Sequence, residues 1–389
     1  MRITPLLNQA PLWQQATPGS HSDLVVLSDC NLGRNLVDFP FPERCTAEER
    51  SAIEARIVRV LDQLNLLASG HYFKLEELCA SDIQLLAERQ LISPALTTPL
   101  PGQGVYVAQD QSLSIIVNDE DHCCIRVLAS GLQLQDAWAR ASLMDDTLGG
   151  VLDFAYSSQL GFLTQSLQHV GTALRCTVLL HLPGCAQKNE LPELRKLAEQ
   201  FDLTFSGVGI GPPAAPAGGK RAHSARSVGS QALYSSMDGF APRPPHESEG
   251  DLFQLSNRAT LGRTEEEFVF QLKQCANDFI RREEAIRKRM REEETEVLFD
   301  RVERARALAL RARLVPFDES MALLSSLRLG VSLGLISDIT LASLNSSLIQ
   351  CQDAHVETNR VHGDGPAGEQ DLKRFRAALL KAQFDSPDN

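Results

Sequence analysis

Two hydrophobic rhythms alternate along most of the chain, and one of them takes over toward its C-terminal end. Ile53, Ile57, Val60, Leu61 and Leu64 recur at three- and four-residue intervals, which predicts a helix. Thr46 and Glu49 supply a capping box in front of it. Residues 24–27, 102–108, 113–117 and 203–208 are short apolar runs that predict strands. Residues 173–182 form a longer apolar run interrupted only by Arg175, Thr177 and His181. Residues 134–154 have helical spacing, broken near their end by Gly149 and Gly150; 192–200 predict a shorter helix and 251–255 a returning strand. A second capping box, Thr264 with Glu267, opens a region of continuous helical period. Its apolar stripe is Phe268, Leu272, Cys275 and Phe279, and the charged stretch 281–296, with acids and bases interleaved, reads as a solvated helix face.

This pattern divides the chain into a flexible lead-in over residues 1–20, broken by Pro5, Pro11, Pro18 and Gly19, a strand-bearing domain over 21–261, and a helical domain over 262–389. Within the strand-bearing domain, 209–249 shifts to Gly, Pro, Ala and Ser. A stretch of that kind is a lid or is disordered; its lack of periodicity favours disorder, with Lys220, Arg221 and Arg226 as its chemical content. A formal charge of -12 argues against general nucleic-acid binding. Nine cysteines at irregular spacings, with no CxxC pair, read as reduced thiols rather than zinc ligands. No run reaches membrane-spanning length, so the expectation is a cytoplasmic protein with no membrane partner.

The polar positions that interrupt the apolar pattern carry the candidate chemistry. In SIIVNDEDHCCIR, residues 114–126, a buried strand runs into three consecutive acids and a histidine. If the strand continued, its alternation would put Glu120, His122, Cys124 and Arg126 on one face and Asp119, Asp121 and Cys123 on the other. A carboxylate, an imidazole and a guanidinium would then share a surface; a solvated acidic turn accounts for the same letters. Arg175 poses a similar choice, because a guanidinium in an apolar strand requires an anionic partner, either a ligand or a buried carboxylate.

Taken together and in order, SDLVVLSDCNLGRN, VNDEDHCCIR, LDFAYSSQLGFLTQSLQHVGTALRCTVLLHLP, LFQLSNRATLGRTEEEF and SLRLGVSLGLI resemble the ATP:guanido phosphotransferases, most closely the bacterial protein-arginine kinases. The resemblance implies an α+β fold, with an antiparallel sheet flanked by helices followed by a helical C-terminal domain. It further implies a homodimer that binds ATP with Mg2+ and acts on protein substrates or other arginine-bearing ligands. Arginines in such a site are permanent bidentate donors to phosphate, while carboxylates grip the acceptor guanidinium. Glu120 matches the family's principal catalytic carboxylate, His122 belongs to the same motif, and Arg175 matches a phosphate-binding arginine. Elsewhere the chain departs from the pattern. Asp29 and Asn31 stand where two phosphate-clamping arginines are expected, and only Arg34, the third basic place, is kept. Cys124 replaces a further arginine, Ser166 the reactive cysteine, and Ser206 the lid arginine. Replacement charge would have to come from Arg126, Arg258 or the insertion, and a second carboxylate from Glu247 or Glu249. Near the C-terminus, Asp371 and Arg374 match part of a phosphoarginine-recognition motif, although a solvated helix explains them equally. The expectation is a protein-arginine-kinase-like pseudoenzyme with weak or no phosphoryl transfer and a binding or regulatory role. The other reading is an active Mg-ATP-dependent kinase with Glu120 as base and Arg175 as clamp.

Overall fold

A computed structural model describes residues 3–7, 9–14, 20–209, 241–244, 248–358 and 368–384. Its strands are β1 (Val25–Arg34), β2 (Gly70–Lys74), β3 (Gly104–Ala108), β4 (Leu113–Val117), β5 (Cys123–Ser130), β6 (Tyr156–Ser157), β7 (Gly161–Phe162), β8 (Leu174–His181), β9 (Leu203–Gly209), β10 (Ala241–Arg243) and β11 (Leu252–Asn257). Nine of them form one antiparallel sheet in the order β10-β9-β11-β8-β1-β5-β4-β3-β2, and β6 with β7 makes a separate hairpin. Strand β1 lies at its centre, bonded to β5 on one side and β8 on the other. The fold is the expected α+β arrangement with a helical C-terminal region.

Helices cover both faces because each face carries a full apolar set. On one, Val25, Leu32, Ile125, Leu174 and Leu180 pack against helices Ala47–Gln63, Leu134–Gly149, Leu191–Gln200 and Glu265–Glu293. On the other, Val26, Leu27, Leu128 and Leu179 meet Val302, Leu324, Leu327 and Leu348 from the C-terminal helices Thr295–Arg311, Phe317–Ser332 and Leu341–Gln350. A third cluster joins Ile83, Leu86 and Val105 to Ile3, Leu6 and Ala354. Both predicted capping boxes close: Thr46 N–H donates to Glu49 at 2.7 Å and Thr264 N–H to Glu267 at 2.8 Å, with the reciprocal bonds at 3.2 and 3.3 Å.

Two elements differ from the sequence pattern. Strand β1 does not stop at Leu27; it runs to Arg34 with every position buried, because it pairs with β5 on one side and β8 on the other. The strand through 114–126 is not continuous either. It ends at Val117, Asn118 adopts φ 56°, and the Asn118 N–H bonds the His122 carbonyl at 3.0 Å before β5 begins at Cys123. Alternation therefore does not carry across the turn. Cys124 and Arg126 share a face of β5, but Glu120 and His122 are aimed by the turn. Lys220, Arg221, Arg226 and Glu247 of the insertion lie outside the described residues.

Candidate active site

The candidate site forms where β1, β5 and β8 run side by side. Register places Asn31 directly opposite Arg126 on one flank and Arg175 on the other. One pleat away on β1, Asp29 receives the Arg126 guanidinium, with Nε at 3.1 and 3.2 Å from its two oxygens and Nη2 at 2.5 Å. Asp29 is 3% exposed and Arg126 1%. A bidentate pair sealed in this way commits the Arg126 charge to Asp29, while its Nη1 stays buried without a hydrogen-bond partner among the described residues. Cys124 is fully buried, and burial, reinforced by the Asp119 and Asp121 carboxylates, pushes its thiol well up, so it is a neutral filler. Ser206, half-buried on β9, accepts a hydrogen bond from Gln254 at 3.0 Å.

Arg34 is equally committed. Its Nε and Nη2 donate to the two Asp145 oxygens at 2.9 and 2.7 Å, its Nη1 donates to the Gly33 and Thr172 carbonyls, and its plane lies 3.5 Å over the Phe162 ring. These bonds brace β1 against helix Leu134–Gly149 and the β6–β7 hairpin. Arg175 is half-buried, and Arg258 is exposed just past β11. Asp371 and Arg374 form an exposed one-turn contact of 3.4 Å on helix Glu369–Ala382.

The acids after β4 are held by their surroundings. Glycine at 33 is required here, since a Cβ there would lie 2.3 Å from Asp121 Oδ2. Asp121 accepts from Asn35 at 2.5 Å and from the Gln165 N–H at 2.9 Å; burial raises its pKa against those bonds. His122 accepts from the Leu36 N–H at Nδ1 and donates from Nε2 to the Pro40 carbonyl at 2.8 Å. Burial lowers its pKa to about 4, opposed by the Pro40 carbonyl, so it is a neutral strut for the 36–40 loop. Glu120 is half-buried with His169 Nδ1 at 3.3 Å. Sequence reading missed His169, Asp145 and the Asp29–Arg126 pairing; their partners lie far apart in the chain, and none carries a local motif.

Asp119 is also half-buried, and burial followed by the Glu120 and Asp121 charges raises its pKa to about 7. The folded state therefore holds a proton that the unfolded state has released, and stability falls as pH rises from about 4 to about 7. A shift of that size is worth about 4 kcal/mol unscreened, and solvent contact reduces it to ~1–2 kcal/mol. Asp119→Asn is expected to raise the unfolding free energy by that amount at pH 8 and to change nothing at pH 4, as measured by denaturant titration at both.

A nucleoside triphosphate needs several unpaired cations converging on its phosphates. The row here holds the Asn31 amide, the Cys124 thiol, the Ser206 hydroxyl and one half-buried cation, Arg175, while Arg34 and Arg126 are bonded to Asp145 and Asp29. These residues do not fit a polyphosphate. Among the described residues no group of three or more His, Cys, Asp or Glu is placed to hold a metal ion, and no helix is long and apolar enough to cross a membrane.

The architecture itself is that of the guanido kinases. It superposes on lombricine kinase with a TM-score of 0.51 over 72% of both chains at 21% identity. On the substrate-free duplicated taurocyamine kinase from Schistosoma mansoni the TM-score is 0.53, over 78% of this chain and 42% of that one, at 21% identity. The profile of the ATP:guanido phosphotransferase C-terminal catalytic domain matches residues 52–215 and 244–286, and that of the protein-arginine kinase McsB C-terminal domain matches 295–389. The chain is 34% identical over 377 residues to a protein-arginine kinase of Symbiobacterium thermophilum, covering 96% of each, and 32% identical over 375 residues to that of Halalkalibacterium halodurans, covering 95% and 94%. The chain belongs to the ATP:guanido phosphotransferase family, on its protein-arginine kinase branch.

Proposed function

We propose that this member of the family recognises arginine-bearing proteins and transfers phosphate weakly or not at all. The observation that carries this reading is the sealed Asp29–Arg126 pair, which puts a carboxylate where the family resemblance calls for a phosphate clamp and engages the nearest replacement arginine. Binding of a guanidinium is a separate matter. Glu120 remains a half-buried acid in the turn after β4, with Asp119 beside it as a second acid that ionises above about pH 7, and carboxylates suit that ligand. The role is then binding or regulation, and the homodimer and Mg2+ implied by the resemblance belong to the proposal as well.

A second reading, an active Mg-ATP-dependent protein-arginine kinase, is favoured by the full-length likeness to relatives of that name and by the presence of Glu120 and Arg175 in family positions. Incubation with Mg-ATP and an arginine-rich protein separates the two. The proposal predicts little or no acid-labile phosphate on arginine, and none that depends on Glu120. Transfer that Glu120→Gln abolishes would establish the second reading instead.

A further inference from the structure

Beside the acids, the loop surface is apolar. Tyr156 is 61% exposed, Leu160 48%, Leu167 89% and Leu261 55%. Single exposed apolar side chains are ordinary, whereas a group gathered on one surface is not. Phe162 and Gly171 exchange backbone hydrogen bonds at 2.8 and 3.2 Å, and the Tyr156 ring meets the Phe162 ring edge-on at 5.2 Å. Leu160 sits at the tip of that hairpin, between β6 and β7. Thr260 Oγ1 donates to the Gln168 and Val170 carbonyls at 3.1 and 3.0 Å, fixing Leu261 beside the loop that carries Leu167. Two residues after Leu167, His169 lies 3.3 Å from Glu120. The loops that carry the apolar side chains are thus tied to one another and, through His169, to Glu120.

We propose that Tyr156, Leu160, Leu167 and Leu261 form a docking rim for an extended protein segment in which an arginine is flanked by apolar side chains, with the arginine directed to Glu120 and Asp119. Charge complementarity sets the central residue: the acids receive a permanent planar cation. The rim sets the flanks, since apolar side chains lose contact with water only if the ligand brings apolar surface of its own. A free amino acid would leave the rim uncovered, whereas an extended chain advances ~3.3 Å per residue and reaches it. This inference rests on the arginine-recognition reading above.

Fluorescence anisotropy with three labelled peptides tests it: Leu-Leu-Arg-Leu-Leu, Ser-Ser-Arg-Ser-Ser and Leu-Leu-Lys-Leu-Leu. The native protein is expected to bind the leucine-arginine peptide at least about tenfold tighter than the serine-arginine peptide, the equivalent of 1.4 kcal/mol. The combined variant Leu160→Ser, Leu167→Ser and Leu261→Ser, altered only at exposed positions, is expected to erase that difference while keeping its affinity for the serine peptide. Equal binding of both arginine peptides by the native protein would overturn the rim and leave arginine recognition standing, as would a leucine preference that survives in the variant. Equal binding of the lysine peptide would overturn the arginine half of the proposal. Binding of no peptide would overturn both the rim and the recognition reading.

Discussion

Arg126→Met is expected to destabilise the protein by about 3–5 kcal/mol, because it removes the bidentate donors of a carboxylate buried in the middle of the sheet. Asp29 is 3% exposed, and the Arg126 Nε and Nη2 donors reach its oxygens. Without them a buried carboxylate loses its bidentate, charge-assisted bonds, and whether it stays charged or takes up a proton, stability is lost. The companion substitution discriminates the cause. Adding Asp29→Leu to Arg126→Met replaces the pair with apolar side chains, and such exchanges are often neutral or stabilising, so most of the loss is expected to return. Guanidinium unfolding of the two single variants and the double variant gives the coupling energy. A single-variant loss below ~1 kcal/mol, the range of exposed pairs, would mean that Asp29 is not sealed as described.

Glu283→Ala is expected to cost about as much, again ~3–5 kcal/mol. Glu283 is fully buried on helix Glu265–Glu293 and accepts from the Gly184 and Cys185 N–H groups at 2.9 and 2.7 Å, at the start of helix Pro183–Gln187. It also accepts from Arg287 Nε at 2.8 Å, and Arg287 in turn donates to Ser332 and to the His181 carbonyl. One carboxylate therefore joins β8, the long helix and the C-terminal helices. Its removal leaves two donors and a buried guanidinium without their acceptor, each a costly loss in the interior. Glu283→Gln keeps one acceptor oxygen and is expected to lose roughly half as much. The check is the unfolding midpoint of each variant by circular dichroism, and a loss for Ala with none for Gln would show that packing, rather than the hydrogen bonds, carries the effect.

What was legible in the sequence was what depends on near neighbours. The two capping boxes, the helical stripe from Phe268 to Phe279 and the break at Gly149 are set by residues within a few positions, and each takes its expected form. The family blocks were legible too, and with them the fold. What could not be read were pairings across the chain. Asp29 and Arg126 are 97 residues apart, and Arg34 and Asp145 are 111 apart. In the sequence Asp29 and Asn31 look like the polar continuation that ends a strand; in the sheet they lie on its central strand, which is paired with β5 and β8, and Arg126 of β5 meets Asp29. Likewise the period-two pattern around Glu120 fails because Asn118 adopts a left-handed conformation and the chain turns. The residue types were visible, but their directions were set by register.

The measurement that bears most directly on the missing phosphate clamp is a calorimetric titration of the whole protein with Mg-ATP, repeated on Arg175→Ala. The Asp29–Arg126 pair, together with Asn31, Cys124 and Ser206, predicts no saturable heat in the micromolar range for either protein. Saturable micromolar binding by the native chain that Arg175→Ala abolishes would contradict that account, and would mean that the site completes a nucleotide clamp around Arg175 with arginines other than those the family pattern names.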